Sequence, residues 1–249
     1  MKPNTLHALD FDGVICDSAV ETAITGWKAA GKLWKDMKTE TPPALIDEFR
    51  RVRPIIETGY EAILAMRLLH TGVSCAAIYD HYSEMTAQLL HDTNIGVDEL
   101  KQLFGDTRDQ WIASDLASWI AMNPLFPGIA EKLQHLSKTH LWYVITTKQE
   151  RFVKHILKAN AIELADERIF GLDRKLGKTE ILKDLLRGHP GLAVEFVEDR
   201  LPTLINASKD PELPEVELLF ASWGYNTADD KLLAKRQGFT TLSLDDFLV

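Results

Sequence analysis

Residues 5–18 read TLHALDFDGVICDS: an apolar run of strand length, two aspartates one residue apart, then a glycine. A short apolar run closed by polar turn residues is the pattern of a buried strand where it leaves its sheet. Similar runs recur at Leu141–Ile145 (LWYVI), 193–197 (AVEFV), Val216–Ala221 (VELLFA) and 239–242 (FTTL). Helical patterns lie around and between them at 129–137, 151–160, 178–187 and 227–237. Strands alternating with helices of this length predict an α/β domain, a parallel sheet covered on both faces. Glu195 is the one charge inside the 193–197 run. Its presence predicts a place near a sheet edge or a solvent gap.

Between the first strand and Leu141 no convincing strand occurs. Amphipathic helical patterns fill the interval at 19–34, 43–52, 60–69, 77–90 and 111–122, with breakers at Pro42-Pro43, Gly59, Gly72 and Asn94 to Gly96. An all-helical insertion over 19–123 therefore interrupts an α/β domain made of 1–18 and 124–249. Pro124 and Phe126-Pro127-Gly128 read as the return linker.

Composition narrows the function. The 249 residues are 45% hydrophobic and 26% charged, ordinary for a globular protein with a real core. Lys plus Arg is 28 against 37 Asp plus Glu, a net charge of −9, which argues against a nucleic-acid binder. A small anionic substrate stays compatible, since a local field can oppose the global charge. The two cysteines, Cys16 and Cys75, form neither a metal-type pair nor a disulfide framework. No apolar run approaches membrane-spanning length and no signal-like segment opens the sequence, so the default expectation is a cytoplasmic protein without a membrane partner. Oligomeric state is not readable.

The strand ends carry the chemistry, because ligands of open parallel sheets bind beyond the carboxyl ends of the strands. There stand Asp10 and Asp12, then Thr146-Thr147-Lys148, then Gly177-Lys178-Thr179 at a helix start, then Glu198-Asp199. A carboxylate can attack phosphorus or carbon. A second one, two residues on, can protonate a leaving oxygen and later deprotonate water. Paired carboxylates suit a hard divalent cation such as Mg²⁺. Hydroxyls and a lysine suit phosphoryl oxygens. Each feature alone has an ordinary explanation: an Asx turn, β-strand threonines, a solvated lysine, a helix cap. Four in this order, each at an element boundary, are poorly explained as unrelated surface features.

These residues resemble the haloacid dehalogenase-like hydrolase superfamily. DFDGVICDS at 10–18 resembles its first motif, Val144 to Lys148 its second as found in phosphoglycolate phosphatase-like members, Gly177-Lys178-Thr179 its third and Val197-Glu198-Asp199 its fourth. PLFPGIAEKL at 124–133 resembles the helix start after the family's cap. The resemblance implies a Rossmann-like core with an inserted helical cap. One departure stands in the fourth motif, where Glu198 replaces a usual glycine and no further acid follows at the expected spacing.

Asp12 favours phosphate ester cleavage over dehalogenation, since a carbon–halogen bond needs no acid for its leaving group. The resemblance then implies a phosphoric monoester hydrolase acting on a small phosphorylated metabolite, phosphoglycolate-like substrates included. Asp10 is the nucleophile and Asp12 the acid and base. Thr146 and Lys178 hold the phosphoryl group, joined by Thr147. Mg²⁺ is held by Asp10, the Asp12 carbonyl and Asp199, with Glu198 a further candidate. A phosphomutase on the same core, or a non-catalytic binding protein, stays open. Trp223-Gly224-Tyr225-Asn226 reads as a packed turn behind the site. Arg53 is the candidate reader of an anionic group on the substrate's far end, with Pro54 expected to keep its backbone out of helical geometry.

Overall fold

The computed structural model describes residues 4–37 and 40–249. Residues 1–3, in the expected segment 1–18, and residues 38 and 39, in the expected insertion, lie outside the described residues. Six strands form one sheet: β1 (Thr5–Leu9), β2 (Leu141–Ile145), β3 (Ile169–Phe170), β4 (Ala193–Glu198), β5 (Val216–Ala221) and β6 (Thr240–Leu242). Their order is β3-β2-β1-β4-β5-β6, and every neighbouring pair is parallel. This is a Rossmann-like sheet, in which the reversal of strand order beside the first strand opens a crevice at the carboxyl ends. β1 sits between β2 and β4 and is buried along its whole length, which is why it is apolar on both faces except at Thr5 and His7.

The chain divides into two compact units, one ending at Asp17 and resuming with Pro124–Val249, the other Ser18–Asn123. Ser18 groups with the second unit. That unit is built from α1 (Ala19–Leu33), α2 (Pro43–Val52), α3 (Glu61–His70), α4 (Cys75–Thr93) and α5 (Val97–Ala121). Trp27, Phe49, Val52, Ile63, Met66, Leu69, Leu100 and Phe104 form its apolar core. Helix α5 begins fourteen residues before the expected 111, because Glu99 caps it by accepting from Gly96 N–H at 2.8 Å. The helix is kinked at Asp115, whose carboxylate accepts the Ser118 N–H at 2.9 Å and so restarts the helix like an N-cap.

Glu21 on α1 is fully buried in this unit. Arg108 on α5 grips it with two hydrogen bonds, Nε to Oε1 at 2.8 Å and Nη2 to Oε2 at 2.6 Å. Thr25 Oγ1 and Trp119 Nε1 also donate to Oε1. Four donations satisfy a carboxylate that burial would otherwise penalise.

In the sheet unit the helices are α6 (Ile129–Thr139), α7 (Glu150–Ala159), α8 (Lys178–Gly188), α9 (Leu201–Ser208), α10 (Ala228–Arg236) and α11 (Leu244–Leu248). Leu6, Ala8, Tyr143, Ile145, Val194 and Phe196 pack on one side against α8 and α9. On the other side the register sets His7, Glu195 and Glu217 side by side on β1, β4 and β5. This corrects one reading of Glu195. Its strand is flanked on both sides, so it is not near an edge. It faces a cavity of about 290 Å³ also lined by Lys132 and Phe247, and its Oε2 lies 3.1 Å from His7 Nδ1. Among the described residues, no helix is long and apolar enough to cross a membrane.

Candidate active site

Asp10 follows β1 directly. Its N–H donates to Val197 O at 2.9 Å, so the pairing of β1 with β4 carries it to the rim of the sheet. The chain then turns back sharply: Ile15 and Cys16 N–H both donate to Phe11 O at 2.9 Å, and Gly13 N–H to Cys16 O at 2.9 Å. Gly13 has φ +96°. A Cβ there would collide with Asp199 Oδ2, so glycine is required by both conformation and space. Gly224 closes on Asp199 from another side, where a Cβ would run into Gly13 O and Asp199 Cβ.

Thr146 leaves β2 at the same rim, its N–H bonded to Phe170 O at 2.9 Å. Its hydroxyl accepts the Lys148 N–H at 3.1 Å, which leaves the hydroxyl proton to donate elsewhere. Thr147 follows it, half-buried. Lys178 is the first residue of α8. Its Nζ lies 2.7 Å from Asp10 Oδ1 and 2.6 Å from Glu198 Oε2. Glu198 and Asp199 end β4 and begin the following loop, both fully buried. So Asp10, Asp12, Thr146, Lys178, Glu198 and Asp199 converge within the sheet unit.

Glu198 has both oxygens engaged, Oε2 by Lys178 and Oε1 by Arg200 N–H at 2.9 Å. The Tyr225 N–H donates to Asp199 Oδ2, and Asn226 Nδ2 to Asp199 O at 3.2 Å. Tyr225 Oη reaches Asp17 Oδ1 at 2.9 Å, and Trp223 Nε1 reaches Val14 O at 3.1 Å. The Trp223–Asn226 turn therefore ties Asp199 to the loop after β1. It is a packed turn, as read from the sequence, and a bracing one.

Sequence reasoning passed over Lys148, quoted only as the end of a motif. It is buried, and its Nζ lies 2.8 Å from Asp12 Oδ1. A lysine two residues beyond a buried strand, beside Thr-Thr, was the available signal. Arg53 belongs to the helical unit and is buried there, its Nη1 donating to Ile56 O at 2.7 Å. Its backbone is helical (φ −52°, ψ −35°), contrary to the expectation from Pro54. The Ile56 N–H to Arg53 O bond at 3.0 Å closes a 3₁₀ turn, Arg53–Ile55, which outweighs the bias of a residue before proline.

Four carboxylates, Asp10, Asp12, Glu198 and Asp199, face two ammonium groups, Lys148 and Lys178. Burial is the largest influence on Asp10. Lys178 pulls its pKa down, Glu198 and Asp12 push it up, and the net result is about 7. Burial works against the Lys178 cation, but Asp10 and Glu198 outweigh it and hold its pKa above the usual lysine value. Oxygens of Asp10, Glu198 and Asp199 lie within 4.8 Å of one another. An all-oxygen donor set with excess negative charge fits a hard divalent cation.

Asp10 gives a testable pH dependence. Its pKa is about 7 folded against an ordinary 3.8. The folded state thus holds the proton more tightly, and its contribution to stability is full below pH 4 and lost as pH rises through 7. In chelator, the stability of wild type relative to Asp10→Asn is expected to fall across that window. Parallel melting curves from pH 4 to 8 would contradict it.

The comparisons agree with this architecture. A haloacid dehalogenase-like family hydrolase from Streptococcus pneumoniae is similar over 96% of this chain and 93% of its own, with TM-score 0.57 and 19% identity. A protein described as a predicted phosphoglycolate phosphatase from Haemophilus somnus matches 100% of this chain and 96% of its own, with TM-score 0.60 and 18% identity. A structure titled a predicted phosphatase from Clostridium acetobutylicum matches 99% and 97%, with TM-score 0.59 and 16% identity. The fold is that of the haloacid dehalogenase-like hydrolases. No family model matches the sequence, and no curated protein matches it. In this haloacid dehalogenase-like fold the four segments quoted from the sequence all reach one rim, although they are spread from Asp10 to Asp199.

Proposed function

We propose that this chain is a Mg²⁺-dependent phosphoric monoester hydrolase working through an aspartyl-phosphate on Asp10. The observation that carries the reading is the division of labour between two aspartates at one strand end: Asp10 sits on Lys178, and Asp12 on a different lysine. One carboxylate is placed to attack and the other to move protons. A small phosphorylated metabolite is the substrate class. Phosphoglycolate is the first to test, since three structurally similar proteins carry that description.

In the proposed cycle an Asp10 oxygen attacks phosphorus as the bond to the leaving oxygen breaks. The bonding pair stays on that oxygen, which takes a proton from the Asp12 carboxyl. Asp12 then accepts a proton from water, whose oxygen attacks phosphorus and releases Asp10. Thr146, with Thr147 beside it, and Lys178 hold the phosphoryl oxygens. Asp10, the Asp12 carbonyl and Asp199 would hold Mg²⁺, which when bound offsets repulsion between substrate and carboxylates. Glu198 serves better as the anchor of Lys178 than as a ligand, because both its oxygens are engaged. Arg53, spent on the Ile56 carbonyl, suits the shaping of its own turn better than substrate reading.

A Mg²⁺ titration of activity tests this assignment. Asp199→Ala should raise the concentration needed for half-maximal activity by about tenfold or more, as loss of a hard-cation ligand does. Glu198→Gln should leave that concentration within about threefold and lower kcat instead, through a loosened Lys178. An Asp199→Ala titration that overlays wild type would remove Asp199 from the site.

A further inference from the structure

We infer that Lys148 is the residue that positions Asp12 for proton transfer. This rests on the function proposed above and goes beyond it, since Lys178 alone accounts for the lysine that neutralises the phosphoryl group. The two lysines of the site, Lys148 buried and Lys178 half-buried, are segregated. Lys178 binds Asp10 and Glu198, while the one ion pair Lys148 makes among the described residues is with Asp12.

The Lys148 side chain is 1% exposed and that of Asp12 is 16% exposed. A buried ammonium needs its counter-charge, so in this low-dielectric setting the pair constrains both partners. The lysine backbone is fixed on both sides. Its N–H donates to Thr146 Oγ1 at 3.1 Å, and its carbonyl accepts the Leu172 N–H at 3.0 Å. Gly171 packs so closely that a Cβ there would meet Lys148 O. Lys148 is thus a rigid post, built into the same turn as the hydroxyl proposed to hold the phosphoryl group.

Asp12 needs such a post. An aspartate at the rim has staggered alternatives at χ1 and a broad χ2. Fixing Oδ1 at 2.8 Å from Lys148 Nζ fixes the carboxylate plane and with it the direction of the other oxygen. Proton transfer to a leaving oxygen falls steeply when the donor is misplaced by about an ångström. Lys148 acts through Asp12 and touches no reacting atom, so its removal should matter in proportion to how much the leaving group needs a proton.

The test is kcat/KM at saturating Mg²⁺ for a series of aryl phosphates, from p-nitrophenyl to p-methoxyphenyl, which reports phosphoryl transfer to Asp10. Lys148→Met should steepen the dependence on leaving-group basicity. The loss should be about twofold for p-nitrophenyl phosphate and about tenfold to a hundredfold for the p-methoxyphenyl ester, within the range of general acid catalysis. Asp12→Ala should steepen it at least as much, and Lys148→Met in the Asp12→Ala background should add no further slope. Lys148→Arg, which keeps the charge but moves the donors, should give an intermediate slope and supplies the result if the methionine variant does not fold. Equal losses on every ester, or additional slope in the double variant, would overturn the inference while leaving the phosphatase reading intact. A folded wild type inactive on every ester would overturn that reading, and this inference with it.

Discussion

Asp10→Asn is expected to lower turnover of p-nitrophenyl phosphate by at least about 10⁴-fold with the fold intact, the scale seen when a covalent nucleophile is removed. The amide has the shape of the carboxylate but cannot form the aspartyl-phosphate. Lys178 keeps its second partner, Glu198 at 2.6 Å, so the ammonium is not stranded. Asp10 is buried and raised to about 7, chiefly by burial, so a neutral side chain is tolerated there. The thermal midpoint in chelator should therefore stay level or rise near neutral pH. Activity within about tenfold of wild type would exclude Asp10 as nucleophile.

Arg108→Met is expected to cost about 3–5 kcal/mol of stability, the range for breaking a buried ion pair by removing one partner. Glu21 is 0% exposed and loses two charge-assisted bonds at once. Thr25 and Trp119 still donate to Oε1, but neither carries a charge to offset that of the carboxylate. A loss of this size is a large fraction of a domain's total stability. Changing Glu21→Gln in the same chain should restore part of it, because the stranded charge, not the missing contact, dominates the penalty. Urea unfolding of the single and double variants measures both. A cost under about 1 kcal/mol for Arg108→Met would mean that Glu21 is not held as an anion in the folded protein.

What the sequence showed and what it hid divide along physical lines. The central strands were readable because a strand covered on both faces must be a near-continuous apolar run, as LWYVI over β2 is. Strand β3 escaped because two residues carry no periodicity, and only pairing with Val144 and Ile145 makes Ile169–Phe170 a strand. Helix α9 escaped because it is only eight residues long and its cap position holds Arg200, whose side chain accepts no backbone N–H. For Glu195 the sequence left an edge or a solvent gap open; the edge fails, because register with His7 gives it a partner at the sheet centre, while the cavity it lines is such a gap. At the site, the aspartates, Thr146 and Lys178 stood out by their places at element ends. The pairing that distinguishes Asp12 from Asp10 did not. It depends on Lys148 crossing from the β2 loop to the β1 loop, 136 residues apart in the chain. The adjacency of Glu198 and Asp199 likewise hid their difference. Only the positions of Lys178, Arg200 and Tyr225 show that the first carboxylate binds a lysine as well as a backbone amide, and that the second accepts the Tyr225 amide.

Phosphate release by the purified wild-type protein, with Mg²⁺ and then with excess chelator, bears most directly on the account. The substrates are p-nitrophenyl phosphate and a panel of phosphorylated metabolites that includes 2-phosphoglycolate. The account predicts steady release with Mg²⁺, loss of release in chelator, and recovery when Mg²⁺ is restored. A folded protein that releases no phosphate from any of them, or releases it equally in chelator, would contradict it.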